Sequence, residues 1–250
     1  MIRGLGSRGG RVCRLLGALL PLITASCGGG GGSSDGSGMT YAFVPPVANS
    51  KRAYAETIVD NAHNTIDLSY TETVAAFNPD GSYTVLQGDP NHESVIVNGT
   101  NYSIVTETIA VNNSGQETGY TYVDSNDATV SCTLTPHGVG PDFPVTVGMS
   151  WTLDYGLGCG TQSPISYTQS GSVVDVESIT VPAGTFRAIK LQSTVTWTDA
   201  QGTTRTETVT NWRDVATSVS VKQSITISYS GILPTRGYAI SQEIVLESMS

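Results

Sequence analysis

Residues 189–197 have the sequence IKLQSTVTW, in which apolar and polar side chains alternate with a period of two. Successive side chains of a β-strand point to opposite faces, so this period predicts a strand with one buried face. The two faces are Ile189, Leu191, Val195 and Trp197 on the apolar side, and Lys190, Gln192, Thr194 and Thr196 on the polar side. The high content of β-branched and aromatic residues suits a pleated, half-buried surface.

The same alternation recurs along the chain, and turn-forming sequences separate the runs. Asn98-Gly99 predicts a two-residue hairpin between residues 93–97 and 100–106. Asn78-Pro79-Asp80-Gly81 and Asp199-Ala200-Gln201-Gly202 predict longer turns. The further apolar faces are Ile66, Leu68 and Tyr70; Met149, Trp151, Leu153 and Tyr155; Val219, Val221, Ile225, Ile227 and Tyr229; and Ile240, Ile244 and Leu246.

These strands predict an all-β protein built as one antiparallel meander that curls into a half-barrel, a barrel or a sandwich. The sheet must pack on itself, because no long amphipathic helix is predicted to cover it. Only Lys51–Ala62 fits helical spacing, as a short helix, and a strand over Tyr54–Val59 is the alternative. Residues Thr203–Asn211 are polar on both faces, so we expect them to form an edge strand.

The N-terminal 38 residues predict export. Four arginines precede the apolar run 15–23, and the small residues Ala25 and Ser26 lead to Cys27. The apolar run is far shorter than the roughly 20 residues that cross a bilayer. We divide the chain into a signal peptide at 1–26, Cys27 with a Gly/Ser linker to residue 39, and a β-rich domain at 40–250. Signal and linker are expected to be disordered.

The cysteine after the small residues resembles the lipobox of bacterial lipoproteins. That resemblance implies that Cys27 becomes the lipidated first residue of an outer-membrane-type lipoprotein, and an ordinarily cleaved signal is the alternative. Gly28 stands where an Asp would retain such a protein at the inner membrane, so the resemblance favours the outer membrane, facing the periplasm. The linker has a reach of roughly 17–20 Å, which keeps the domain near the membrane.

The charge of the chain argues against nucleic-acid partners. The chain has 12 basic and 21 acidic residues, and four of the basic ones lie in the signal, so the mature chain has 12 − 4 = 8 basic residues and a formal charge of −13. Phosphate backbones require clustered Lys and Arg. Binding to the membrane is expected through the lipid anchor alone.

Four cysteines divide between the segments. Cys13 lies in the signal and Cys27 is the lipid site, which leaves Cys132 and Cys159 in the domain. In an oxidising compartment two cysteines most simply form a disulfide, which stabilises such a loop by roughly 3.5 kcal/mol on the chain-entropy model. A metal pair or a redox pair is the alternative, although neither cysteine lies in a CxxC motif.

Two motifs resemble segments of exported bacterial β-rich proteins that belong to domain-of-unknown-function families. They are Phe143-Pro144-Val145-Thr146-Val147-Gly148-Met149-Ser150-Trp151 and Val181-Pro182-Ala183-Gly184-Thr185-Phe186. The resemblance implies a curved sheet like that of periplasmic lipoprotein carriers. From the residues themselves, Pro182 suits a turn position and Gly184 permits a positive φ, so we interpret both motifs as determinants of the fold.

The sequence contains no motif that identifies a catalytic or metal site. We expect His63, His92 and His137 to be surface loop histidines. The best calcium candidate is Asp124-Ser125-Asn126-Asp127 with Asp80, Asp89 and Glu93, but an ordinary turn is favoured because the EF-hand glycine and glutamate are missing. Asp175 and Glu177 share an exposed strand face. We expect no cofactor.

Three functions remain open. The first is a non-enzymatic binding or scaffold domain that holds an apolar ligand or an envelope protein; Trp151, Trp197, Tyr229 and Val221 would line its cavity, although core packing also explains them. The second is an envelope-polymer hydrolase, which needs His92 or His137 beside a nucleophile or a carboxylate. The third is a structural or surface protein-interaction module.

Overall fold

The structure is a computed structural model that describes residues 38–89, 94–97, 100–103, 106–123, 128–138, 140–233 and 237–250. None of these residues lies in a helix that is both long and apolar enough to cross a membrane. The strands are β1 (Thr40–Tyr41), β2 (Lys51–Asp60), β3 (Thr65–Phe77), β4 (Tyr83–Gly88), β5 (Ser94–Val97), β6 (Thr100–Ser103), β7 (Glu107–Val111), β8 (Glu117–Val123), β9 (Thr129–Thr135), β10 (Val145–Thr146), β11 (Ser150–Cys159), β12 (Ile165–Val181), β13 (Gly184–Thr198), β14 (Thr203–Asp214), β15 (Ser220–Gly231) and β16 (Ala239–Met249).

Twelve strands form a closed antiparallel barrel in the order β2-β3-β4-β7-β8-β9-β11-β12-β13-β14-β15-β16, and β16 pairs with β2 to complete it. Strands that are adjacent in the barrel therefore follow one another along the chain, apart from the hairpin β5-β6 and the short strand β10. The prediction of an all-β antiparallel meander is confirmed, and of the three closures left open the structure has the barrel.

Two smaller pairs lie outside the barrel. Strand β1 pairs with β10, and β5 pairs with β6 so that Val97 lies opposite Thr100. The turn residues Asn98 and Gly99 themselves lie outside the described residues, as do the signal peptide, Cys27 and the linker up to residue 37.

The predicted helix over Lys51–Ala62 is wrong, because residues 51–60 form β2 and the strand alternative over Tyr54–Val59 is part of it. The inward-facing residues of β2 are Arg52, Tyr54, Glu56, Ile58 and Asp60, all of which are buried. Three of these five are charged, so a pattern based on apolar residues alone does not detect the alternation.

The predicted edge strand Thr203–Asn211 is also wrong, since these residues belong to β14, which pairs with β13 on one side and β15 on the other. Its polar residues Arg205 and Glu207 are buried in the interior rather than exposed. A closed barrel has no free edge, and a polar strand can lie inside it when its charges find partners there.

The turn of the second motif has the predicted geometry. Strand β12 ends at Val181 and β13 begins at Gly184, which lie opposite each other across Pro182 and Ala183. Gly184 has a φ of 139°, in the region that other residues rarely adopt. In the same hairpin, Gly171 leaves room for the ring of Trp151 on β11, because a Cβ atom at residue 171 would overlap that ring.

The interior of the barrel is partly apolar and partly charged. The largest apolar cluster is formed mainly by β2, β3, β15 and β16 and includes Tyr54, Ile66 and Leu246. Burying a charge is costly unless it is paired, so the partners of the interior charges decide how each part of the barrel is stabilised. The buried charged residues are Arg52, Glu56, Asp60, Glu72, Asp89, Glu107, Glu117, Arg205, Glu207, Arg213 and Asp214.

Candidate functional site

One end of the barrel contains a cavity of about 580 Å³. Residues 44–50 of the chain that leads into β2 form one wall of it, and we call residues 42–50 the cap segment. The rest of the wall comes from residues 216–219 between β14 and β15 and from Met249 and Ser250 at the end of β16. A volume of this size falls within the range of roughly 300–1,000 Å³ that is typical of small-ligand sites.

The cap segment is held in place at both of its ends. Strand β1 precedes it and is paired with β10, and Val44 is buried. Near its other end the N–H of Asn49 donates to the carbonyl of Val74 at 2.8 Å, and the N–H of Ser50 donates to the carbonyl of Val47 at 3.1 Å. Asn49 has a φ of 63°, a value that asparagine tolerates better than most residues. The cap segment is therefore a fixed wall of the cavity.

Arg52 is the one charged side chain among the lining residues, all of which are described. It is only 3% exposed, and its Nη1 lies 3.5 Å from Oε2 of Glu72, which is long for an N–H···O bond. Its Nε has no acceptor among the described residues. The guanidinium therefore retains donors that Glu72 does not use.

Arg213 on β14 adds a second buried positive charge, close enough for the charge of Arg52 to act on it. Burial lowers the pKa of Arg213 to about 10, and the repulsion from Arg52 contributes to the shift. The Nε of Arg213 also has no acceptor within the described chain. With Arg52 and Glu72 it forms a group of two cations and one carboxylate, which we call the cationic cluster.

Two buried tyrosine hydroxyls complete the cationic cluster. Burial is the main cause that raises the pKa values of Tyr54 and Tyr83, and the charges of Arg52, Arg213 and Glu72 act on both hydroxyls. Neither hydroxyl makes a hydrogen bond of good geometry within the described part of the chain. The ring of Tyr54 stacks on Tyr70 with centroids 5.0 Å apart, which holds its hydroxyl beside Arg52.

At the opposite end of the barrel, the buried arginine has a carboxylate and two aromatic rings as partners. Arg205 forms an ion pair with Glu207, which is completely buried. The guanidinium also lies over two rings, 5.1 Å from the centroid of Trp197 and 5.6 Å from that of Tyr229. Burial raises the pKa of Glu207 to about 7, against the opposing effect of Arg205. We call these four residues the matched cluster.

A second cavity of about 520 Å³ lies near the matched cluster, between residues 163–168 and 196–200. Elsewhere in the interior, Nε2 of Gln87 donates to Glu107 at 3.1 Å. Burial, together with Glu107, raises the pKa of Glu117 well above its usual range.

The predicted cavity-wall residues do not come together around one site. Trp197 and Tyr229 flank Arg205, Val221 is buried in the large apolar cluster, and Trp151 packs with Val173 and Leu191. The cavity is lined instead by residues that the apolar pattern did not single out. The one sequence signal for Arg52 is its position two residues before Tyr54 and six before Ile58, on the inward face of β2.

The structure joins Cys132 on β9 and Cys159 on β11 in a disulfide with an Sγ–Sγ distance of 2.09 Å. The two residues lie opposite each other in the ladder between these strands. This bond links the two strands at the end of the barrel remote from the cap segment.

The two histidines in the described part of the chain, His63 and His137, lie in separate segments. His63 lies in the turn between β2 and β3, His137 follows β9, and His92 lies outside the described residues. His137 Nε2 lies 3.4 Å from Asp142 Oδ1, and its other contacts among the described residues are with Gln116 and the carbonyl of Gly138. A hydrolase would need a nucleophile beside this pair, and none of these contacts supplies one.

The described residues contain no group of three potential metal ligands close together. Asp80 accepts hydrogen bonds from the N–H and hydroxyl of Ser82 in an exposed turn, and Asp89 is buried. Residues Glu93 and 124–127 lie outside the described residues.

The carboxylate pair on β12 is explained by local contacts. Glu177 accepts a hydrogen bond from Trp212 Nε1 at 2.6 Å and pairs with Lys190 at 3.2 Å. The bond from Trp212 and that from Lys190 lower the pKa of Glu177. Asp175 accepts from the N–H of Val176.

No protein-family model matches the chain, and no curated protein matches its sequence. Two solved structures resemble it. A protein of Bacteroides fragilis with a YmcC-like fold, inferred to be exported, has 12% identity and a TM-score of 0.46, over 85% of this chain and 100% of that one. A protein of Parabacteroides distasonis, inferred to be a lipoprotein, has 15% identity and a TM-score of 0.45, over 84% of this chain and 99% of that one. Both structures are only distantly similar to this chain, and the similarity lies in the overall fold.

Proposed function

We propose that this chain is a non-enzymatic envelope lipoprotein, anchored in the outer membrane through Cys27 and facing the periplasm, whose barrel binds an apolar ligand in the cavity beneath the cap segment. The cavity is the observation that carries the binding function. The lipobox-like sequence before Cys27 is the support for the anchor.

The position of the cavity supports a ligand that comes from the membrane. The linker leads into β1, directly before the cap segment that forms one wall of the cavity. A linker reach of roughly 17–20 Å keeps that end of the barrel close to the lipid surface. An apolar ligand could then pass from the bilayer to the cavity without crossing much water.

The anchor is tested by metabolic labelling with radioactive palmitate. We expect the full chain to be labelled and to sediment with outer membranes, and Cys27→Ala to lose the label. The matched control is Cys13→Ala, which changes the other signal-region cysteine and should keep the label. Gly28→Asp should move the labelled protein to the inner membrane. Labelling that persists in Cys27→Ala would contradict the anchor.

The binding function is tested by mass spectrometry of lipids that co-purify with the full chain from native membranes. Ala216 is exposed and lines the cavity, so Ala216→Trp fills it without disturbing the barrel core. The matched control is Ala200→Trp, which adds the same ring at the second cavity. We expect a defined ligand on the wild type and on Ala200→Trp and its loss from Ala216→Trp. Equal recovery from all three proteins would overturn this function.

A further inference from the structure

We infer that the ligand is an amphipathic anion, in which a hydrocarbon chain lies in the cavity and a carboxylate or phosphate monoester binds Arg52, whose positive charge adds to that of Arg213. This inference rests on the proposed function, and it specifies the chemical class that the cavity takes.

The first argument is charge balance. The cationic cluster holds two guanidinium groups and one carboxylate, and the ion pair within it joins Arg52 to Glu72. The cluster therefore has one positive charge more than it has negative charges. A buried charge without a partner costs several kcal/mol after relaxation. Burial is the first cause of the lowered pKa of Arg213, and the charge of Arg52 adds to it. An anion bound to Arg52 would balance the charge of the cluster.

The second argument is the supply of hydrogen-bond donors. Glu72 engages only Nη1 of Arg52, at 3.5 Å, and Nε of Arg52 and of Arg213 have no acceptor among the described residues. Buried donors are normally satisfied, so each of these needs an explanation. Carboxylates and phosphates are the acceptors whose geometry suits a guanidinium. The unused donors of Arg52, the cluster residue that lines the cavity, therefore indicate an anionic head group.

The third argument is the apolar composition of the rest of the cavity wall. Val44, Pro45, Pro46, Val219 and Met249 line the cavity, and Arg52 is the one charged lining side chain. Each methylene that such a wall removes from water contributes about 0.8 kcal/mol. A wall of this composition with a single cation at its base suits a chain that is apolar along its length and charged at one end.

The matched cluster provides an internal comparison. Arg205 has Glu207 and two aromatic rings as partners, and a cavity of similar volume lies nearby. Its Nε, like those of Arg52 and Arg213, has no acceptor among the described residues. Because Arg205 has a carboxylate of its own, no anion is expected there. Neither the cavity nor an unused Nε therefore predicts the anion by itself; the excess of cations over carboxylates does.

The test is photo-crosslinking of the full chain in its own membrane vesicles. The probes are three diazirine-bearing C16 lipids: hexadecanoic acid, hexadecanol, and a lysophosphatidic acid. We expect the two anions to label peptides from the cap segment or residues 216–219 at least tenfold more than the alcohol does. The ratio of acid to lysophosphatidic acid shows whether a free carboxylate or a phosphate head group is preferred.

Variants locate the head group. Arg52→Gln should lower labelling by the anions at least tenfold and leave labelling by hexadecanol unchanged, while Arg52→Lys should retain part of it. Lys51→Gln is the matched control, because it removes the neighbouring exposed cation, and it should label as the wild type does. If Arg52→Gln does not fold, a competition experiment on the wild type tests the inference instead. Unlabelled hexadecanoic acid should displace the anionic probes from the cavity, and unlabelled hexadecanol should not.

The outcomes separate this inference from the proposed function. Equal cavity labelling by the alcohol and the acids, with no effect of Arg52→Gln, would overturn the anionic head group and leave the apolar binding function in place. Labelling that avoids the cavity with every probe would overturn both.

Discussion

The buried arginines at the two ends of the barrel have different interaction partners. Arg205 has one carboxylate, Glu207, and two rings against its guanidinium. Arg52 pairs with Glu72 at 3.5 Å, and the charge of the buried Arg213 acts on Arg52 and on two buried tyrosine hydroxyls. The first set has one carboxyl group for its one cation, whereas the second has two cations for one carboxylate next to a cavity.

This difference shows which buried charges belong to the fold and which suggest a ligand. Removing one member of a closed ion pair leaves the other buried and unpaired, so such a pair is needed for stability. A buried cation that has no carboxylate of its own gains little stabilisation from its neighbours, so keeping it lowers the stability of the fold. The same residue type in one barrel therefore has a structural role at one end and a proposed binding role at the other.

The largest effect is expected from Arg205→Gln. It leaves Glu207 buried without its cation and removes the contacts with both rings, so we expect the free energy of unfolding to fall by about 3–5 kcal/mol at pH 8. Urea unfolding measures this. The loss should be smaller at pH 5, where Glu207 is largely protonated.

The counterpart at the other end is Arg52→Gln, which should cost clearly less than Arg205→Gln because it also relieves the repulsion between Arg52 and Arg213. Equal losses of unfolding free energy in the two variants would show that the two buried arginines contribute equally to stability, which would contradict the proposed difference between the two ends.

The second effect is a dependence of stability on pH. The folded-state pKa of Glu207 is raised from 4.5 to about 7, so between these values the folded chain holds a proton that the unfolded chain has released. Stability present below pH 4.5 is therefore lost as pH rises to 7, by up to about 3 kcal/mol. Glu207→Gln should remove this slope in urea unfolding measured across pH 4.5–8. An unchanged slope in the variant would assign it to another group.

The third effect concerns the excess cation. Arg213→Met removes a buried charge whose Nε has no acceptor among the described residues, and methionine fills similar space. We expect stability to stay within about 1 kcal/mol of wild type or to increase, since replacing buried charges by apolar groups is often neutral or stabilising. Thermal melting checks this. A loss as large as that of Arg205→Gln would mean that Arg213 has a partner of equal strength.

A comparably small effect is expected from Tyr229→Leu, which removes one of the two rings against Arg205 and keeps Glu207. We expect a loss of about 1 kcal/mol, the scale of a cation–π contact at a partly buried site. The matched control is Tyr122→Leu, a tyrosine on β8 remote from the matched cluster. A double-mutant cycle of Tyr229→Leu with Arg205→Gln should show coupling, and additive losses would argue against the contact.

Local pattern predicts much of the strand content. The alternation in 189–197 places Leu191, Val195 and Trp197 in the interior, and the hairpin at Pro182-Ala183 follows from the residues that form it. The two errors, at 51–62 and 203–211, have one cause. Both segments carry charges on their inward faces, and an apolar pattern treats inward charges as exposed.

The sequence by itself determined the antiparallel meander and its turns, because a period of two and the φ preferences of Gly and Pro act over a few residues. Only the tertiary structure decided that the sheet closes, that Arg52 pairs with Glu72 in the interior, and that a cavity lies beside Arg52. These features depend on contacts between residues far apart in the chain, as in the bond from Gln242 to Glu56, 186 residues away. Burial and pairing in three dimensions, which no local pattern encodes, determine the role of each charge.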